Sequence, residues 1–382
     1  LAEAKDPVMY VGGGILLAQA SAELAEFVEH MQIPVSHSLM GKGALPDDNP
    51  LVLGMTGFWG TELVNQSCLK ADYIFALGTR FKEADCSSWY PGYTFNIPGS
   101  KVIHIDIEPA EIGRNYPTEI GVVADAKSAL RVLNRVAKEM YPNGFKQPEL
   151  KQKIADFRSQ FKASNSAMQA SDAFPMMPER ILADVRKALP SDAIITTDVG
   201  WNKNGVGQQF DILTPGSILT PGGFATMGFG PPGALGAKIA APELVVASLV
   251  GDGGFGQNPA VLATAAARNL GVIWIIMNNN AFGTIAGLQQ AHYGTTYGTV
   301  FPGSIGEQEL EPDYASIARA YGVQGIRIGS ADELLPALEG AIASGKPTVL
   351  DVAMINNPTP TTGHWNILDI YSPDKDVSHV AT

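Results

Sequence analysis

Short apolar strands that end in glycine turns and alternate with helical patterns dominate this sequence. Val8–Val11 runs into Gly12-Gly13-Gly14 and then into a helical pattern over Leu16–Met31. Further apolar runs follow, Tyr73–Leu77 ending at Gly78 and Lys101–Ile105 ending at Asp106. Strands that alternate with helices form parallel sheets covered by helices on both faces. We therefore predict an α/β protein built from doubly wound parallel sheets.

A polar stretch divides this pattern into two series. The first series closes with a helical pattern over Ala126–Met140, and residues 142–172 that follow are polar and charged. We interpret 142–172 as a linker and the start of a helix. The sequence thus predicts two α/β domains, 1–141 and 173–355, followed by a surface-packed tail, 356–382.

Composition and charge exclude several classes of function. The chain has 382 residues and a formal net charge of −12, from 26 Lys+Arg and 38 Asp+Glu. Such an acidic balance argues against nucleic acid or an anionic membrane surface as a partner. Every apolar run is shorter than the ~18 residues of a membrane span. The two cysteines, Cys68 and Cys86, fit a reducing compartment without structural disulfides, so we expect a cytoplasmic protein.

Two polar turns follow neighbouring strands of the second series. Gly251-Asp252-Gly253-Gly254 follows the apolar run Val245–Val250, and Asn278-Asn279-Asn280 follows Val272–Met277. One helical crossover makes such strands parallel, so Asp252 lies at the same sheet edge as the asparagine turn. Oxygen ligands with one carboxylate suit Mg²⁺, and glycines let the backbone approach a diphosphate. A single turn of either kind is common, but the pair across one crossover favours a metal–diphosphate site.

The same residues resemble the thiamine-diphosphate motif of the enzyme superfamily that uses this coenzyme. The resemblance implies Mg²⁺ ligands at Asp252, at Asn279 and at the backbone carbonyl of Ala281. It also implies that the carbonyl of Ala225 accepts from the aminopyrimidine and that Met227 supports a bent coenzyme. The full set of implied coenzyme-binding residues is Gly200, Trp201, Asn202, Ala225, Met227, Asp252, Gly253, Gly254, Asn279, Ala281, Phe282 and Gly283.

The first series is similar to the middle domain of acetolactate synthases, which binds FAD. The matching segments are Tyr10–Gly14, Leu39–Gly43, Gly57–Thr61, Leu77–Phe81 and Ile103–Gly113. The resemblance implies FAD contacts at Gly12, Gly13, Gly14, Gly57, Thr61, Gly78, Arg80, Asp106 and Ile107. Relatives without FAD, such as benzoylformate decarboxylase, keep the same fold, so FAD binding stays open at this point.

The reaction is also left open by the sequence. The resemblance implies an enzyme that forms or cleaves a C–C bond next to a carbonyl of a small molecule, through a coenzyme-bound carbanion. Acetolactate synthases carry a Trp near Leu288, so carboligation, non-oxidative decarboxylation and hydrolysis of a cyclic diketone remain alternatives. A relative of cyclohexane-1,2-dione hydrolase or of an aldehyde lyase is therefore also a candidate. His292 is a candidate proton shuttle and Gln289 a candidate pocket residue. A non-catalytic flavin-binding homologue is the rival outside catalysis, and the spacing after Gly12-Gly13-Gly14 does not fit a nicotinamide dehydrogenase.

One expected component is not recognisable in the sequence. Enzymes of this family activate the coenzyme with a Glu on a pyrimidine-binding domain, and no stretch of this chain resembles that domain. Because the chain begins at Leu1, we expect either a longer protein or a second chain that supplies it. The resemblance further implies a homodimer or homotetramer, because the active sites of the family form between subunits.

Overall fold

The computed structural model describes residues 1–301, 304–305, 308–309 and 312–356, without the side chains of Ala291 and His292 or of the residues from 304 to 309. The predicted tail therefore lies outside the described residues, except for Asn356. Contacts divide the chain into two compact units. The first unit comprises 1–161 and 212–216, and the second comprises 162–211 and the described residues from 217 onward.

The first unit contains a six-stranded sheet in which every pair of neighbouring strands is parallel. Its order is β3-β2-β1-β4-β5-β6. The strands are β1 (Pro7–Val11), β2 (Val35–His37), β3 (Val52–Met55), β4 (Tyr73–Leu77), β5 (Lys101–Asp106) and β6 (Ile120–Val123). The chain leaves β1 toward one side of the sheet and returns to β4 on the other, which is the doubly wound arrangement predicted from the sequence.

Helices cover this sheet. They are α1 (Gly14–Leu17), α2 (Ser21–Met31), α3 (Glu62–Lys70), α4 (Glu83–Cys86) and α5 (Ala126–Met140), with 3-10 turns at Leu39–Gly41 and Pro109–Glu111. Helix α6 (Pro148–Gln169) follows. The continuous helix predicted over Leu16–Met31 is wrong, because Gln19 has a left-handed φ of 51° that separates α1 from α2. Cys68 and Cys86 are both buried and free of disulfides.

The second unit contains a second six-stranded parallel sheet, ordered β13-β14-β10-β9-β7-β8. Its strands are β7 (Ile194–Thr197), β8 (Ile218–Leu219), β9 (Val246–Gly251), β10 (Val272–Asn278), β13 (Gln324–Ile328) and β14 (Thr348–Ala353). Two short strands, β11 (Ser304–Ile305) and β12 (Gln308–Glu309), form an antiparallel pair outside this sheet. The predicted pairing of β9 with β10 is confirmed, with Met277 opposite Gly251.

The helices of the second unit are α7 (Pro178–Ala188), α8 (Trp201–Gln209), α9 (Gly230–Ala240), α10 (Asp252–Phe255), α11 (Val261–Arg268), α12 (Gly283–Tyr293), α13 (Tyr314–Ala320) and α14 (Leu334–Ser344), with a 3-10 turn at Ala331–Glu333. The direction of winding reverses between β7 and β9, and ligands of open α/β sheets bind at such a reversal. In the part of the chain that the structure describes, no helix is both long and apolar enough to cross a membrane.

Candidate functional site

Three polar residues directly follow adjacent strands of the second sheet. Asp198 follows β7, Asp252 follows β9 within α10, and Asn279 follows β10. A cavity opens at this edge, and every predicted coenzyme-binding residue except Ala225 lines it. These lining residues are Gly200, Trp201, Asn202, Met227, Asp252, Gly253, Gly254, Asn279, Ala281, Phe282 and Gly283. Sequence positions spread over more than eighty residues are therefore brought to one cavity.

Three oxygen atoms converge in this cavity. The side-chain oxygen of Asn279 lies 3.1 Å from Oδ1 of Asp252 and 3.0 Å from the carbonyl oxygen of Ala281. Oxygens this close repel one another unless a cation lies among them. In an octahedral Mg²⁺ site with bonds of about 2.0–2.1 Å, neighbouring oxygens are about 2.9 Å apart. The two distances from the Asn279 oxygen, to Asp252 and to Ala281, thus match the spacing of neighbouring ligands in a magnesium octahedron.

The orientation of the Asn279 amide decides this chemistry. With Oδ1 toward Asp252, its Nδ2 donates to Oδ1 of Asn356 at 3.2 Å. The reverse orientation would place Nδ2 where it donates to Asp252 and Ala281, but it would set the oxygens of Asn279 and Asn356 against each other at 3.2 Å. The orientation that keeps the hydrogen bond to Asn356 is the one that presents three oxygens to a cation.

The carboxyl group of Asp252 is adapted to such a cation. The residue is 2% exposed. Burial raises its pKa to about 6, and the Asp351 carboxylate adds to the rise, while backbone N–H groups of Gly253 and Ala281 oppose it. A bound cation would offset the cost of burying this charge. Without a cation, the Asp252 carboxyl group is mostly ionised at pH 7 and becomes protonated as the pH falls below its pKa of about 6.

Glycines in this turn are required by contacts within the protein. A Cβ on Gly253 would lie 2.6 Å from a ring carbon of Phe282 and 3.1 Å from Cε of Met227. A Cβ on Gly254 would lie 2.6 Å from Oδ1 of Asp198. The sequence suggests these glycines for approach to a diphosphate, and the structure adds that a side chain at either position would displace Phe282 or Asp198.

Asp198 holds the glycine-rich loop against the sheet. Its side chain is fully buried, and its Oδ1 accepts from the N–H groups of Val199 at 2.8 Å and Gly228 at 3.0 Å. Its Oδ2 accepts from the N–H of Gly230 at 2.8 Å. Asp198 is not among the cavity-lining residues, so it positions the loop that carries Met227. Sequence reasoning did not assign this role.

Asn202 and Trp201 support the start of α8. Oδ1 of Asn202 accepts from the N–H of Asp198 at 2.9 Å, and its Nδ2 donates to the carbonyl of Val199 at 3.2 Å. Trp201 is 9% exposed. A Cβ added to Gly205 would lie 2.5 Å from the Trp201 ring, so the ring packs directly on this glycine. Both residues also line the cavity.

Ala225 lies in the loop but not in the cavity wall. Its φ of 47° is in the left-handed region, which costs an alanine roughly 1 kcal/mol. Its N–H donates to the carbonyl of Gly222 at 2.7 Å. Backbone strain of this kind often accompanies a binding function. The next residue back, Phe224, is 99% exposed.

Thr284 is a site residue that sequence reasoning missed. It lines the cavity at the N-terminus of α12, and its buried hydroxyl has no hydrogen-bond partner among the described residues. Helix N-termini attract anions through free N–H groups and the helix dipole. A hydroxyl beside those groups adds one more donor for a diphosphate. The sequence offered one signal for this role, namely that Thr284 directly follows Gly283, a predicted coenzyme-binding residue.

The two candidate catalytic residues of α12 have different outcomes. Gln289 does not line the cavity, because its Oε1 accepts from the Thr299 hydroxyl at 2.6 Å and from the N–H of Tyr297 at 3.1 Å. Its amide therefore holds the segment that follows α12. The side chain of His292 lies outside the described residues, so its role stays a prediction.

The predicted FAD residues share the carboxyl edge of the first sheet. Several of the glycines serve close packing of loops there. A Cβ on Gly12 would lie 2.2 Å from the carbonyl oxygen of Gly78, and one on Gly14 would lie 2.7 Å from Cα of Gly78. A Cβ on Gly57 would lie 2.3 Å from the carbonyl oxygen of Ala84. One on Gly13 would lie 3.2 Å from the carbonyl oxygen of Met40.

The remaining predicted FAD residues differ in burial and in hydrogen bonding. The hydroxyl of Thr61 is buried without a hydrogen-bond partner in the described part of the chain. The Arg80 side chain is 65% exposed, with Nε 3.8 Å from Glu111. Asp106 is buried and accepts from the N–H of Glu108 at 2.9 Å, while Ile107 is 70% exposed.

Comparison with known proteins agrees with this geometry. Residues 1–133 match the family described as "Thiamine pyrophosphate enzyme, central domain", and residues 198–352 match "Thiamine pyrophosphate enzyme, C-terminal TPP binding domain". The probable acetolactate synthase large subunit of Methanocaldococcus jannaschii is 37% identical over 362 residues, which is 93% of this chain and 58% of that protein. Acetolactate synthase 1, chloroplastic, of Zea mays is 33% identical over 356 residues, which is 92% of this chain and 54% of that protein.

The chain thus spans somewhat more than half the length of these relatives. The matches cover both units, and the second family match includes the three converging oxygen ligands. The chain belongs to the thiamine-diphosphate-dependent enzymes, in the group that resembles acetolactate synthase.

Proposed function

We propose that this chain is the metal- and diphosphate-binding part of a thiamine-diphosphate- and Mg²⁺-dependent enzyme that forms or cleaves a C–C bond next to a carbonyl. The observation that carries the proposal is the position of the Asn279 side-chain oxygen, 3.1 Å from Oδ1 of Asp252 and 3.0 Å from the carbonyl oxygen of Ala281. A cluster of one carboxylate, one amide oxygen and one backbone oxygen suits a hard cation that keeps other positions for phosphate oxygens.

The residues of the cavity then have defined tasks. Asp252, Asn279 and the carbonyl of Ala281 hold Mg²⁺, and Thr284 donates its hydroxyl to the diphosphate. The loop held by Asp198 presents Met227 to the coenzyme. When bound, thiamine diphosphate supplies the electron sink that stabilises a carbanion next to the substrate carbonyl. The protein contributes orientation and a cavity from which water is excluded.

For the substrate, we propose a 2-keto acid joined to a second carbonyl compound, because relatives at 37% and 33% identity carry the name acetolactate synthase. Hydrolysis of a cyclic diketone is the second candidate. It is favoured by Leu288, a partly buried residue of α12 near which the synthases carry a Trp. Product analysis with pyruvate and with cyclohexane-1,2-dione separates the two.

We also propose that the first unit binds FAD at the carboxyl edge of its sheet. Arg80 would pair with the diphosphate, because a guanidinium binds phosphate oxygens in a bidentate manner. Thr61 would donate to a polar group of the cofactor, and Ile107 would cover an apolar face. Extraction of the purified protein and absorbance of the released flavin test this proposal.

The face around the cavity suggests where the rest of the enzyme binds. Phe224 is 99% exposed and Ile285, which lines the cavity, is 49% exposed. We propose that a pyrimidine-binding domain, with the activating Glu, covers these side chains in a dimer or tetramer. Light scattering of the complete protein with and without coenzyme measures the assembly.

The central test is a binding measurement on the complete protein. Isothermal titration with thiamine diphosphate is performed with and without Mg²⁺ on the wild type, on Asp252→Ala and on Asp192→Ala, which changes an exposed carboxylate of the same unit. We expect Mg²⁺-dependent binding that is lost only in Asp252→Ala. Absence of coenzyme binding by the wild type at saturating Mg²⁺ would refute the proposed function.

A further inference from the structure

A second buried carboxylate lies behind the metal cluster. Asp351 on β14 is 2% exposed, and the cavity wall does not include it. A buried carboxylate is costly unless its oxygens accept hydrogen bonds. Both oxygens of Asp351 do accept one, and each bond leads to a different part of the cluster.

The first bond leads to the turn that carries two of the oxygen ligands. Oδ1 of Asp351 accepts from Nδ2 of Asn278 at 3.1 Å. This bond orients the Asn278 side chain so that its Oδ1 accepts from the N–H of Asn280 at 3.3 Å. Asn280 has a left-handed φ of 52°. The turn between Asn278 and Ala281 is therefore held from β14, a strand that is distant in sequence.

The second bond leads to the remaining ligand. Oδ2 of Asp351 accepts from the N–H of Tyr314 at 3.1 Å, which fixes the start of α13. The hydroxyl of Tyr314 then donates to the carbonyl oxygen of Asp252 at 3.3 Å. Its ring packs edge-on against Phe255 at 5.7 Å between centroids. Asp252 is thus held by the same carboxylate through Tyr314.

We propose that Asp351 is a positioning residue of the metal site, which sets the spacing of the three oxygen ligands through Asn278 and Tyr314. The inference rests on the proposed function, since it assumes that this cluster binds Mg²⁺. Mg²⁺ demands near-ideal octahedral geometry, whereas Ca²⁺ accepts longer bonds and variable coordination. Asp351 therefore determines the preference of the site for Mg²⁺ over Ca²⁺ as well as its affinity.

The decisive variant is Asp351→Asn, which keeps the size of the side chain but replaces one acceptor by a donor. Partners of metal ligands typically contribute 10–100-fold to metal affinity. We expect Mn²⁺ binding to the complete protein with thiamine diphosphate, followed by electron paramagnetic resonance, to weaken by about 10–100-fold. Competition with Mg²⁺ and Ca²⁺ should show that the loss is larger for Mg²⁺ than for Ca²⁺.

Two further variants distinguish positioning from general damage. Asp184→Asn changes a buried carboxylate of α7, bonded to Arg180 at 2.8 Å, and should leave Mn²⁺ binding unchanged. Tyr314→Phe keeps the ring on Phe255 but removes one neutral hydrogen bond, so we expect a smaller loss, about two- to tenfold.

The possible results distinguish a failure of the positioning role of Asp351 from a failure of the proposed function. Wild-type Mn²⁺ affinity and an unchanged Mg²⁺/Ca²⁺ preference in Asp351→Asn would overturn the positioning role while leaving the proposed function intact. Equal losses for both cations would also overturn it, since a damaged fold affects both alike. If Asp351→Asn does not fold, Tyr314→Phe decides, and unchanged binding and selectivity there would overturn the inference. Failure of the wild type to bind Mn²⁺ would remove the proposed function itself.

Discussion

The substitution Asp198→Asn tests whether the coenzyme loop is held by one buried carboxylate. The asparagine keeps an oxygen for the N–H groups of Val199 and Gly228, but its NH₂ group would face the N–H of Gly230, which now donates to Oδ2 at 2.8 Å. One charge-assisted bond is lost and two donors meet in a fully buried position. Such a loss costs about 1–3 kcal/mol.

This cost should appear locally, because Asp198 joins one loop to the end of β7. At about 1.4 kcal/mol per factor of ten, we expect hydrogen-exchange protection of the Gly228 and Gly230 amides to fall roughly 5–150-fold. Thiamine diphosphate affinity should fall over the same range, since the loop must be reordered for binding. Mn²⁺ binding without coenzyme should stay within about twofold, because the metal ligands lie on other turns.

Amide exchange measured by mass spectrometry or NMR, with titration calorimetry for the coenzyme, checks this prediction. Asp192→Asn, an exposed carboxylate that precedes β7, is the matched control and should change neither quantity. Unchanged protection of Gly228 and Gly230 in a folded Asp198→Asn protein would show that the loop does not depend on this carboxylate. An equal loss of protection throughout the second unit would show global destabilisation instead.

Three other predictions concern the same cavity. Thr284→Val should lower thiamine diphosphate affinity by about 5–10-fold in calorimetry, since one hydroxyl donor is lost, while thermal stability should not fall because that hydroxyl has no protein partner in the described residues. Mg²⁺ affinity of the wild type should be constant above about pH 7 and fall up to tenfold per pH unit below about pH 6. The reason is that the Asp252 pKa is raised to about 6 and the protonated carboxyl group does not bind the cation. A flat profile from pH 7 to pH 5 would contradict this. Ala225→Gly should relieve left-handed strain at φ 47° yet weaken coenzyme binding, as the loop becomes more mobile, and tighter binding would contradict that reasoning.

Local pattern predicted most of the sheet scaffold. Apolar runs located β1, β4, β5, β9 and β10, and the crossover rule made β9 and β10 parallel neighbours. The edge strand β6 was missed because Ile120–Val123 is exposed along its length, so burial did not shape its composition. The break at Gln19 was missed because an apolar pattern does not record a single left-handed residue.

The sequence by itself determined which polar residues meet at one edge of the second sheet, because residues that follow neighbouring parallel strands lie at the same edge. Asp252 and Asn279 were predicted from this rule alone. Tertiary structure decided what holds them, since Asp351 is 73 residues from Asn278 and Tyr314 is 62 residues from Asp252. It also turned Gln289 away from the cavity and aimed Thr284 into it. Such contacts depend on strand order and on side-chain direction, and the local spacing of residues predicts neither.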